Sequence, residues 1–179
     1  TMCDFAYHAD PDITDQNIQS QHHQTLEMLT GNSFAHFDLL TLGNFYNDRE
    51  ISPALREHFF RSVSAVPAVR RILTESRRGY VNREKLRQAK VYVRPDQVLE
   101  FALGYESSDP ALRNDVLNKG VPEKHLDDCL TMCRDEGIDF VAYVLIKPPT
   151  LSEEEGIRDS VRTALHVLEK ADQQGIYAL

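Results

Sequence analysis

Short, continuously apolar runs alternate with capped helical segments along the whole chain, and that alternation leaves few folds open. Val98 to Gly104 and Ile138 to Ile146 are such runs, the second concentrating Ile, Phe, Val, Tyr and Leu in nine residues. Between them, Asp109 and Pro110 open one helical segment. A second starts at Pro122, carries Leu126, Leu130 and Cys133 on one stripe, and ends at Gly137. Upstream, Thr14 caps a helix running to Thr30, and Phe37 to Leu42 reads as a strand ending at Gly43-Asn44. Ser52 and Pro53 start a helix with Leu55, Phe59, Phe60 and Val63 at helical spacing. Val69 to Glu75 is a further strand, and Asn82 caps a short helix through Leu86. Downstream, Ser152 to Glu155 forms a capping box before a helix to about Gln173, Gly175 stops it, and Ile176 to Leu179 reads as another strand. Strands separated by helices of about ten or more residues pair in parallel through right-handed crossovers. No linker interrupts the series, so residues 1–179 are expected to form one α/β domain. A part-barrel and a doubly wound sheet satisfy the pattern equally.

The chain's 179 residues are enough for one substantial core. No apolar run approaches the ~20 residues of a membrane span, and no secretory signal is visible, so no membrane partner is expected. Three cysteines, an odd number, favour a reducing compartment over a disulfide framework, with the cytoplasm as the default. Net charge is −8, which argues against the domain as a whole attracting nucleic acid. Arg70-Arg71, Arg77-Arg78 and Arg83-Glu84-Lys85-Leu86-Arg87 nevertheless crowd into one stretch. A solvated helix face with flanking turns is the plainer reading of that stretch, phosphate binding the sharper one.

Polar groups stand at the strand ends: Asn44, Glu75-Ser76, Glu106-Ser107 and Lys147. The carboxyl ends of parallel strands are where ligands bind in such folds. Ser52, Asp109 and Ser152 directly precede helices and read as caps. Glu106 does not have that task, because Asp109 already performs it, so a carboxylate and two hydroxyls (Ser107, Ser108) remain at a strand-to-helix junction. Cys129 and Cys133, four apart beside Leu126 and Leu130, read as buried small hydrophobes rather than metal ligands. The histidines show no metal-ligand spacing, and no G-x-S-x-G, P-loop or G-x-G-x-x-G motif occurs.

In order along the chain, T-M-C, L-G-N-F-Y-N-D-R-E-I, T-E-S-R-R-G-Y-V, L-G-Y-E-S-S-D, L-N-K-G and A-Y-V-L-I-K-P-P resemble a radical SAM domain. The similarity is to the group holding the Elongator catalytic subunit and the methylthiotransferases, and within it to the archaeosine-synthesis type. The resemblance implies a parallel β/α partial (TIM-like) barrel, here incomplete at both ends. It also implies a 4Fe-4S iron–sulfur cluster held by three cysteines, with S-adenosylmethionine on its unique iron, an electron donor, and hydrogen abstraction from a substrate, with tRNA modification as the associated process. Residue by residue, Cys3 matches the last cluster cysteine and Met2 the apolar position beside the adenine. Asn44 matches the motif receiving the amino end of the methionyl group, and Glu106 and Ser107 the ribose contacts. Lys119 would reach the methionyl carboxylate, and Ile146 would pack beside the adenine.

The other two cluster cysteines have no counterpart in this sequence, and Cys129 and Cys133 cannot stand in for them. The expectation is therefore a piece of a longer enzyme, binding neither cofactor by itself and inactive, with sheet edges open to dimerisation. Two rival functions carry weight: a non-catalytic α/β binding or interaction domain, and a β/α-barrel enzyme for a phosphorylated small molecule, which lacks a Gly-rich phosphate loop.

Overall fold

The computed structural model describes residues 10, 12–29, 31, 34–41 and 43–179. They fall into two compact units, 10–100 and 101–179. Strands and helices alternate as the sequence predicts, and the four strands form a parallel sheet in the order β1-β2-β3-β4, compatible with a partial barrel.

The first unit begins with α1 (Asp15–Met28), where Thr14 and Asn17 exchange side-chain and backbone hydrogen bonds in a capping box. Strand β1 (His36–Leu39) is shorter than the expected Phe37–Leu42, and only Leu39 on it is buried. Ser52 and Pro53 open α2 (Pro53–Ser64), whose Leu55, Phe59, Phe60 and Val63 are buried as their spacing requires. Strand β2 (Arg71–Glu75) pairs in parallel with β1, His36 opposite Arg71 and Leu39 opposite Thr74. Helix α3 (Arg83–Tyr92) starts at its Asn82 cap and runs six residues beyond the expected end at Leu86. Ala89, three residues on from Leu86, extends the buried stripe and keeps the helix packed. Strand β3 (Val98–Glu106) begins in this unit. Its Glu100 is fully buried, held by Arg71 Nε and Nη2 at 2.9 and 2.6 Å, with His36 Nε2 2.8 Å from the other oxygen. A buried carboxylate persists only with such partners.

The second unit holds the remainder of β3, with Phe101, Ala102, Leu103 and Tyr105 almost wholly buried. After it, Asp109 accepts hydrogen bonds from Ala111 and Leu112 N–H, the capping role its position predicts. The segment it opens, Ala111–Val116, is a π-helical turn rather than an α-helix. Helix α4 (Glu123–Glu136) buries Leu126, Cys129, Leu130 and Cys133 and ends at left-handed Gly137 (φ 62°). Strand β4 (Asp139–Val144) comes next, then α5 (Glu153–Gln173) behind its Ser152–Glu155 capping box. Gly156 lets α5 approach the chain after β4, since a Cβ there would lie 3.0 Å from the Ile146 carbonyl. Beyond Gly175 the chain returns beside β4, with Ala178 bridged in parallel to Phe140, the start of the strand expected at 176–179.

Candidate functional site

Glu106 ends β3 in a conformation that carboxylate side chains rarely adopt. Its φ is +67°, and the Ser107 N–H bonds back to the Tyr105 carbonyl at 2.9 Å, closing a γ-turn around it. The form with positive φ at its centre is the strained one, so the surroundings must hold it. They do so from both directions. The Glu106 carbonyl accepts from Leu145 N–H after β4, and the Glu106 carboxylate accepts from Lys119 Nζ at 2.9 Å. Both side chains are mostly enclosed, 11% and 20% exposed, so water still reaches the pair. Gly104, two residues back, provides the room: a Cβ there would stand 2.8 Å from Lys119 Nζ and 2.9 Å from Glu106 Oε1.

Lys119 owes its position to the residues around it. Asn118 (φ 53°) and Gly120 (φ 61°) flank it in left-handed conformations, which Asn and Gly tolerate best. Asn114 Oδ1 accepts from Val121 N–H and fixes the far side of the reversal. The centre of the scaffold is Arg113, 1% exposed despite its charge. Its Nη1 donates to the Ser107 carbonyl at 2.5 Å and its Nε to the Val121 carbonyl at 2.7 Å, and the guanidinium lies 4.5 Å from the centre of the Tyr105 ring. One buried side chain thus ties the γ-turn to the segment that carries Lys119. Burial raises the Tyr105 pKa despite that guanidinium.

Ser107 is fully buried, its hydroxyl accepting from Asp109 N–H at 3.1 Å. Ser108 N–H donates to Thr163 Oγ1 on α5 at 2.8 Å. The structure therefore brings Glu106, Ser107 and Lys119 together. Ile146 is in the same unit, 70% exposed, in the segment after β4.

In the first unit, Asn44 Oδ1 accepts from Arg77 N–H at 2.9 Å, and Asn44 Nδ2 stands 3.5 Å from Glu50 Oε1. Glu50 also accepts from Asn44 N–H and, at 2.6 Å, from Asn47 Nδ2. Gly43 makes this possible, because a Cβ there would collide with the Glu50 carboxylate. Sequence reasoning passed over Glu50 and Arg113. Gly43 seven residues before an acid is a faint signal for the first. Nothing in the sequence marks the second, since an arginine in a helical run normally points outward.

Met2 and Cys3 lie outside the described residues. Cys129 and Cys133 are wholly buried, and burial pushes the Cys133 thiol pKa well up, which disfavours the thiolate a metal requires. Among the described residues no group of three or more His, Cys, Asp or Glu is disposed to hold a metal ion. A broad groove of about 1000 Å³ runs along α5, lined by Leu112, Leu151, Ile157, Val161 and Leu165 among others; Glu106, Ser107 and Lys119 are not in its lining. No helix among the described residues is long and apolar enough to cross a membrane.

No family model matches the chain. It is 28% identical over 173 residues to an uncharacterised protein of Methanocaldococcus jannaschii, covering 94% of this chain and 47% of that protein. To archaeosine synthase subunit beta of Methanosarcina acetivorans it is 27% identical over 168 residues, covering 91% and 47%. To the protein of the same name in Thermococcus kodakarensis it is 28% identical over 122 residues, covering 68% and 37%. The chain spans about half the length of the first two relatives. The chain is thus similar to proteins of archaeosine synthesis.

Proposed function

We propose that this chain is the S-adenosylmethionine-binding part of a radical SAM enzyme that modifies RNA. The observation that carries the reading is the enclosed Glu106–Lys119 pair at the carboxyl end of β3, held in a strained turn with Gly104 clearing its space. The donor set suits the ligand. A carboxylate has about four lone-pair directions, and Lys119 engages Oε1 alone, so acceptors remain for the vicinal hydroxyls of a ribose. The Lys119 ammonium has three donors, which leaves capacity for a carboxylate. Ser107 acts as a positioning residue, its hydroxyl setting the chain direction after the turn.

Asn44, in the first unit, would receive the amino end of the methionyl group as the resemblance implies, and Glu50, hydrogen-bonded to it, carries the anion an ammonium needs. Met2 and Ile146 would give the adenine its apolar contacts, and Cys3 one cluster thiolate. When bound, the cluster and S-adenosylmethionine supply a carbon radical that abstracts hydrogen; the protein's part is to bind, orient and exclude water. The RNA substrate and a partner subunit are proposed from the relatives named subunit beta of archaeosine synthase.

Calorimetric titration of the longer, cluster-bearing protein with S-adenosylmethionine tests the reading. Glu106→Gln and Asn44→Ala are each expected to weaken binding at least about tenfold, one hydrogen bond to a charged group being worth ~1.5–3 kcal/mol. Lys124→Gln, at an exposed site on α4, should leave it unchanged. Wild-type affinity in both site variants refutes the assignment and favours a non-catalytic binding domain.

A further inference from the structure

Thr163 is wholly buried in the middle of α5, where a valine of nearly the same shape would fill the space with no oxygen to satisfy. A hydroxyl on a helix commonly returns to a carbonyl of that helix. Thr25, Ser62 and Ser160 do so in this chain, reaching the carbonyls of Gln21, His58 and Ile157. Thr163 does otherwise. Its Oγ1 accepts from the Ser108 N–H at 2.8 Å and donates to Ser108 Oγ at 3.2 Å, so both capacities of the hydroxyl go to one residue of another segment. Beside it, Arg162 pairs with Asp159 on its own helix and stands 3.7 Å from Asp109. Consecutive residues of α5 thus reach consecutive residues of the segment that leaves β3.

That segment carries the strained Glu106, and its backbone is fixed from several sides. The Glu106 carbonyl accepts from Leu145 N–H after β4, the Ser107 carbonyl from Arg113 in the π-helical turn, and the Ser108 N–H donates to α5. The Asp109 N–H reaches back to the Ser107 hydroxyl across Ser108. A positive φ at a glutamate persists only while its surroundings over-determine it. Without the Thr163 hydroxyl, the Ser108 N–H loses its acceptor and one of these restraints is gone. The turn then relaxes toward negative φ at Glu106, which carries the carboxylate away from Lys119.

We propose that Thr163 is a positioning residue for the Glu106–Lys119 pair, acting through Ser108. The inference rests on the S-adenosylmethionine reading above and adds α5 to the elements that build that site.

Calorimetric titration of the longer, cluster-bearing protein with S-adenosylmethionine tests this, with urea unfolding of each variant alongside. Thr163→Val is expected to weaken binding about fivefold, since one lost hydrogen bond shifts the turn toward its relaxed form by about that factor. Thr163→Ser keeps the hydroxyl and should bind within about twofold of wild type, although the lost methyl group lowers stability. Thr131→Val removes a hydroxyl bond to Gln174 at the far end of α5 and should leave binding unchanged. Affinity that follows stability across these variants would show that Thr163 only packs, and the proposal fails. Hydrogen exchange of the Ser108 amide in the wild-type protein keeps the test open if Thr163→Val misfolds: slow exchange is expected, and exchange as fast as in a free peptide overturns the tie. Wild-type affinity in Thr163→Val with a loss in Glu106→Gln means that the positioning inference alone has failed. No loss in either variant means that the S-adenosylmethionine reading has failed with it.

Discussion

Two turns in this molecule begin with the same two residues. Glu75-Ser76 leaves β2 and Glu106-Ser107 leaves β3, and in both the serine is buried. After β2 the chain stays extended enough for the Glu75 carbonyl to accept from Phe45 N–H, the Ser76 hydroxyl is buried without a hydrogen-bond partner among the described residues, and the segment opens outward at Arg77. After β3 the glutamate turns back on itself at φ +67°, the Ser107 hydroxyl is satisfied by Asp109, and a buried arginine fastens the whole turn. An identical dipeptide therefore carries no conformation of its own. The neighbouring residues decide: a glycine two residues earlier and Arg113 six residues later fold one copy inward, and a segment that turns to water at Arg77 leaves the other open.

The sharpest test of that contrast is to remove one arginine from each turn. Arg113→Ala leaves the Ser107 and Val121 carbonyls buried without donors and opens a void, so a loss of about 3–4 kcal/mol in urea unfolding is expected. Arg77→Ala should stay within about 0.5 kcal/mol. Equal losses would mean that the fastening role is misassigned.

Acid should separate the units that hold the two turns. Burial lowers the His22 pKa from 6.5 to about 4, with His58 and His23 adding to the effect. The unfolded chain binds that proton more readily, so the contribution is present above about pH 6.5 and is lost as pH falls toward 4. It amounts to ~2 kcal/mol once partial hydration is allowed for. Hydrogen exchange at pH 7 and pH 4.5 should show protection falling in residues 10–100 in the wild type and much less in His22→Gln. An unchanged acid response in that variant would remove His22 as the cause.

Backbone preference gives a smaller effect but one whose sign differs. At Glu106, Gly should be more stable than Ala by about 1 kcal/mol, because φ is positive. At Glu75, the last residue of β2, Ala should exceed Gly by about 0.5–1 kcal/mol. The same order at both positions would contradict the turn geometry. Smallest of all, Gly104→Ala should cost below ~1 kcal/mol, since the Lys119 side chain can retreat, yet S-adenosylmethionine titration should show weaker binding as the ion pair opens.

What the sequence revealed and what it hid divide along the same line. Thr14, Ser52, Asn82 and Ser152 start their helices and Gly137 ends one as expected, because capping is settled within three or four residues. The strand-and-helix order comes from apolar spacing for the same local reason. Helix α3 overran Leu86 because Ala89 is too small to register as a packing residue, and β1 fell short because its apolar residues are half exposed. The left-handed Glu106 and the buried Arg113 were not legible. Each depends on a partner six or more residues away, and neither residue type favours the environment it occupies.

The π-helical turn at Ala111–Val116 has a consequence for how such chains vary. A π turn contains one residue more than the α-helical path it replaces, so it behaves as a one-residue insertion. Deleting any residue from 111–116 would let the segment wind as an α-helix. The later side chains would keep their facing, because the π turn already absorbs the extra residue. The spacing between Ser107 and Lys119 therefore has a tolerance of one residue: relatives that keep a glutamate–lysine pair here can be one residue shorter, and those that shorten it further should have lost the pair.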